Sequence, residues 1–204
     1  MPAKYWNKTD IWYNQKTKII ELFLEDLKAQ GSATFCLQSC NVSASCCAIE
    51  AVGGKFKTKS PEFLGKSFMS QADIMFSFLY SKIGRDLMPI KPKVGIVESE
   101  LMDNLTFAIN SLSNVKAESK YFSSKLQTVE NMKSELNSGC ALVLSYLTDY
   151  NSGHYITVVN WDGKHFYAYD SWPDNKHCSN RGILEKYEPS FFINRVRERF
   201  IKVI

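Results

Sequence analysis

Apolar residues recur at helical spacing over 17–30, where Ile19, Ile20, Phe23, Leu24 and Leu27 share one face and Gly31 ends the run. This stretch predicts an amphipathic helix. Residues 31–40 are small and polar and predict a loop. From Asn41 to Val52 the residues are small or apolar, closed by Gly53-Gly54. That pattern predicts a short, tightly packed helix with its first turn just after Cys40 and a glycine stop. Residues 70–82 predict a helix with Ile74, Phe78 and Leu79 on one side, and Pro89 and Pro92 mark 87–97 as a connection. Two further helices are predicted over 98–112 and 126–137, the second burying Leu126, Val129, Met132 and Leu136 ahead of Gly139.

The period then changes. Residues 140–147 and 154–161 read as buried strands. Asp162-Gly163 is a tight-turn signal, followed by a strand over 165–169, and residues 196–204 alternate as a last strand. Helices first and antiparallel sheet second predict an α+β fold in one domain over 1–204, helical over residues 1–138 and sheet over residues 139–204.

Composition narrows the function classes. With 204 residues, 45% of them apolar and 23% charged, the chain can build a sizeable core. A net charge of +4 suits an anionic partner such as a bacterial cell wall but is too weak to argue for nucleic acid. No stretch approaches 18 apolar residues, so no membrane span is expected. The N-terminus, Met1-Pro2-Ala3-Lys4-Tyr5-Trp6, lacks the apolar core of a secretory signal, so synthesis and folding in the cytoplasm are expected. Cys36, Cys40, Cys46, Cys47, Cys140 and Cys178 lack the spacing of a disulfide scaffold and are read as thiols.

A reactive thiol must be favoured as its anion, and the first turn of a helix does this through unpaired N–H groups and the macrodipole. Cys40 stands where such a turn begins, and Ser43, Ala44, Ser45 and Ala48 let the helix pack deeply. His154, after Asn151-Ser152-Gly153, is the candidate base at the start of a strand. Sixteen residues on, across the Asp162-Gly163 hairpin, Asp170 can return beside it. A carboxylate there fixes the imidazole tautomer and stabilises the imidazolium.

The run Cys40-Asn41-Val42-Ser43-Ala44, ending in Gly53-Gly54, resembles the nucleophile motif of papain-like cysteine peptidases. It is closest to the bacteriocin-leader-peptidase-like group, whose bacterial and phage members carry a similar Cys-Asn-Val-Thr-Ser sequence. Glu135-Leu136-Asn137-Ser138-Gly139, the strand 140–147 and Gly153-His154-Tyr155 look like that family's approach to its histidine. Asp170-Ser171-Trp172 is similar to its Asn-Ser-Trp, with the aspartate usual in the leader-peptidase-like branch. The resemblance covers 30–54 and 130–172. It implies a papain-like fold, a Cys40–His154–Asp170 triad, Trp172 shielding the histidine–carboxylate contact, and a glutamine donating to the oxyanion. Gln30 is preferred for that role and Gln38 is the alternative.

Other readings compete. Cys36 is the rival nucleophile; Cys46, Cys47 and Cys140 read as small buried hydrophobes. His165, His177 and the Lys-rich stretch 55–66 read as surface. Cys36, Cys40, His177 and Cys178 are poorly spaced for zinc, so neither metal nor cofactor is expected. The expected activity is amide hydrolysis through a thioester, acting on a peptide of bacterial peptidoglycan as a phage or bacterial lysin would. Delivery to the wall would then need a separate pore or a phage particle. The alternatives are a cytosolic protease or isopeptidase acting on a protein, and a silent module that binds peptides. Nucleic acid and membrane are not expected partners.

Overall fold

The computed structural model describes residues 40–57, 98–149, 153–170 and 184–204. The helices expected over 17–30 and 70–82 lie outside these residues. Numbering the described elements in chain order, α1 spans Cys40–Ala51 and α2 Glu98–Leu112. Strand β1 (Ala117–Tyr121) leads through a 3₁₀ turn, Lys125–Gln127, into α3 (Thr128–Leu136). There follow β2 (Ala141–Leu147), β3 (Gly153–Trp161), β4 (Phe166–Asp170), β5 (Glu185–Tyr187), α4 (Pro189–Ile193) and β6 (Val196–Val203).

The six strands form one antiparallel sheet in the order β1-β6-β2-β3-β4-β5. Alternation along the strands supplies apolar side chains to both faces. On one face Val143, Tyr155, Val159 and Ile201 pack with α1 and α2. On the other Leu144, Ile156, Val158 and Phe166 pack with Met132 and Leu136 of α3 and Phe192 of α4. The architecture is α+β, with helices covering both faces of an antiparallel sheet.

Helix α1 is buried along nearly its whole length, which its small side chains allow. The Thr157 hydroxyl of β3 donates to the Ala44 carbonyl at 2.5 Å, a contact that a larger neighbour would block. The helix ends as the glycines predict: Gly53 has φ 82°, and the Gly54 N–H returns to the Ile49 carbonyl at 2.8 Å. A Cβ on Gly54 would stand 2.2 Å from Val115 Cγ1, so close approach also demands glycine here. Phe56 then bridges to Ser113, while exposed Lys57 donates to the Asn110 and Ser111 carbonyls at the end of α2. A cation there meets the negative end of the helix dipole.

Three expectations need correction. The sheet does not start at 139: β1 lies within the region expected to be helical, and β5 was not foreseen. Both are short, and neither has the apolar alternation that marks a strand; β1 reads Ala-Glu-Ser-Lys-Tyr. Leu126 is not on a buried helix face. It sits in the 3₁₀ turn, 90% exposed, while Val129, Met132 and Leu136 are buried as expected. His165 is half-buried rather than simply surface, with Nε2 2.9 Å from Glu188.

Candidate active site

Cys40 is the first residue of α1, and its side chain is 8% exposed. The N–H groups of a helix's first turn have no carbonyl within the helix to bond and leave the positive end of the helix dipole beside Cys40. His154 is the second residue of β3 and is buried. Asp170 ends β4 and is 1% exposed.

A bulge decides how β3 and β4 meet. Beyond the hairpin, Trp161 opposes Phe166 and Asn160 opposes Tyr167; Val158 then opposes Ala168, leaving Val159 extra. The register is shifted by one, so Asp170 opposes Ile156. Without the bulge Asp170 would oppose Thr157, whose side chain faces α1. Because strand side chains alternate, a one-residue shift exchanges the faces. The bulge therefore puts His154, two residues before Ile156, on the same face as Asp170. His154 Nε2 and Asp170 Oδ1 are 2.7 Å apart.

Nδ1 is the ring nitrogen that Asp170 does not take, and Cys40 is near enough to favour the charged form of the ring. Burial is the largest influence on His154 and works against its charge. The Asp170 hydrogen bond, then the Cys40 hydrogen bond and the negative charges of both partners, outweigh it and push the pKa up to about 10. Asp170 and Cys40 thus both favour the charged form of the ring over the neutral one. The Tyr146 ring stands nearly perpendicular to the imidazole, with centroids 5.5 Å apart.

Two residues with no motif complete the surroundings. Tyr187 Oη donates to Asp170 Oδ2 at 2.9 Å, and the Tyr187 ring packs on Phe191, centroids 4.8 Å apart. Neither residue was foreseen. A lone tyrosine in a three-residue strand has no signal in the sequence. The Asp162 carboxylate, by contrast, is bound in the hairpin: it accepts from the Lys164 and His165 N–H groups and the Tyr167 hydroxyl. Those bonds hold it well below the usual carboxylate range.

Cys46, Cys47 and Cys140 are buried, as read. Burial pushes the Cys140 thiol up, and its Sγ lies 2.9 Å from the Glu135 carbonyl. Gln30, Gln38, Cys36, Trp172, His177 and Cys178 lie outside the described residues.

No curated protein matches the sequence. Among solved structures, the chain is similar to a double glycine motif protease from an AMS/PCAT transporter, solved in complex with the leader peptide. Identity there is 10% over 80% of this chain and 82% of that one, with a TM-score of 0.41. It is also similar to Pseudomonas avirulence protein AvrPphB, at 12% identity over 52% of this chain and 62% of that one, TM-score 0.30. The model of the Peptidase_C39 like family matches residues 12–193, nearly the whole sequence, and the chain belongs to that family.

Proposed function

We propose that the chain hydrolyses a peptide amide with Cys40 as nucleophile, His154 as general acid and base, and Asp170 as the residue that orients the ring. The observation that carries this reading is the buried His154–Asp170 pair, 2.7 Å apart, whose charged form is favoured further by a cysteine at a helix start. The Cys40 thiolate attacks the carbonyl carbon, and the imidazolium gives its proton to the leaving amine as the thioester forms. Neutral His154 then takes a proton from water, the hydroxide adds to the thioester, and the acid and thiolate are released. Asp170 does not take the proton; it fixes the tautomer and offsets the imidazolium charge. Gln30, or alternatively Gln38, is the proposed oxyanion donor, and Trp172 the proposed shield of the His154–Asp170 contact.

For substrate we favour a stem peptide or crosslink of bacterial peptidoglycan, reached through a separate pore or on a phage particle. The net charge of +4, which suits an anionic wall, supports this choice over a protein substrate. Purified cell wall and a mixture of unfolded proteins, each incubated with the protein and followed by mass spectrometry, separate the two. New peptide termini from the wall alone are expected. Fragments from proteins alone would mean a protease or isopeptidase. Cys40→Ala should abolish product while leaving the melting curve near that of the wild type, since a small residue at a helix start is tolerated. Cys36→Ala should retain most activity; the reverse pattern moves the nucleophile to Cys36. If Cys40 has no preferential reactivity toward thiol reagents at neutral pH, the chain is a binding module.

A further inference from the structure

We propose that Tyr187 is a positioning residue for this site: its hydroxyl holds Asp170 in the orientation that serves His154. The inference rests on the triad reading and deepens it. Asp170 has two carboxylate oxygens. Oδ1 meets His154 Nε2 at 2.7 Å and Oδ2 accepts from Tyr187 at 2.9 Å. The torsion that turns a carboxylate about its Cβ–Cγ bond is broad, so its plane is set by the donors that meet its oxygens. Tyr187 places a donor on the oxygen that His154 does not meet and so resists a swing of that plane. The carboxylate is also buried, and a buried anion needs donors. A tyrosine supplies one without bringing a positive charge that would compete with the imidazolium.

The tyrosine is itself held. Its ring packs on Phe191 and Phe192, with centroids 4.8 and 5.6 Å away. Phe191 meets Tyr146 at 5.0 Å, and Tyr146 meets His154 edge-on at 5.5 Å. The path from His154 through Asp170, Tyr187, Phe191 and Tyr146 thus closes on His154. Both ends of the histidine–carboxylate bond are braced by one aromatic layer, contributed by β2, β5 and α4.

The test is a double-mutant cycle read by the rate at which iodoacetamide alkylates Cys40 at neutral pH, with mass spectrometry identifying the labelled cysteine. This readout needs no substrate. Wild type, Tyr187→Phe, Asp170→Ala and the double variant are compared in the cold, below each protein's melting transition. Tyr187→Phe keeps the ring and removes only the hydroxyl. It should slow labelling about tenfold, the effect of losing one hydrogen bond to a charged group. In the Asp170→Ala background it should change nothing, because Tyr187 acts through Asp170. Labelling of Tyr187→Phe at the wild-type rate overturns the proposal, as does an equal fold-loss in both backgrounds, which marks a merely structural role. If Asp170→Ala itself labels at the wild-type rate, the triad reading fails and takes this inference with it.

Discussion

At residue scale the site turns on how His154 keeps its proton. Burial alone would make the ring neutral; Asp170 and Cys40 together push its pKa up to about 10. Removing the charge at Asp170 while keeping a polar group should therefore lower the upper pH limit of activity. Asp170→Asn is expected to keep a measurable rate with that limit shifted down, because the imidazolium loses an opposite charge. Asp170→Ala should cost more, about 10²-fold, because orientation is lost as well. A pH–rate profile of the two variants checks this, and equal, pH-independent losses would reduce Asp170 to a turn residue. Stability follows the same sign. A folded pKa above the free value of 6.5 contributes stability that is complete below about pH 6.5 and lost as pH rises toward 10. Asp170→Asn should flatten that stretch of the melting-temperature curve. The meeting of His154 with Asp170 was legible in the sequence because few residue types can do the chemistry proposed for them and each stands at an element end. Tyr187 was not, because a hydroxyl that only holds a carboxylate has no distinctive neighbours in the chain.

At the scale of elements, burial separates residues that periodicity groups together. Leu126 and Met132 both fit one apolar face from 126 to 137, yet the regular helix begins at Thr128 and Leu126 falls in the turn before it. Met132 is fully buried and Leu126 is 90% exposed. Met132→Ala should destabilise the protein by about 2–5 kcal/mol, and Leu126→Ser by less than about 0.5 kcal/mol. Urea unfolding midpoints of the two variants test the contrast; equal losses would restore Leu126 to the buried face. The start and stop of α1 were readable, since small residues and paired glycines have local meanings. The start of α3 was not, because an apolar side chain is consistent with either a helix face or a turn.

At the scale of the whole molecule, the C-terminal strand lies inside the sheet. Strand β6 pairs with β1 on one side and β2 on the other, so Ile201 opposes both Ser119 and Val143. Phe200, Ile201 and Val203 are buried. Removing residues 196–204 should therefore abolish cooperative folding rather than trim an edge, as a melt followed by circular dichroism would show. A truncated chain that melts cooperatively would contradict the central place of β6. The sequence by itself determined that there would be helices and an antiparallel sheet, a cysteine at a helix start, and a histidine and an aspartate on strands joined by a hairpin. These depend on periodicity, turn chemistry and reactivity, all of which act within a few residues. Only the tertiary structure decided that β6 sits between β1 and β2, that Tyr187 reaches Asp170, and that Val159 bulges out of the ladder. Strand order and register are set by which side chains fill the space between sheet and helices. The bulge decides whether His154 and Asp170 meet: with an unbroken ladder from the same hairpin, Asp170 would lie on the face opposite His154.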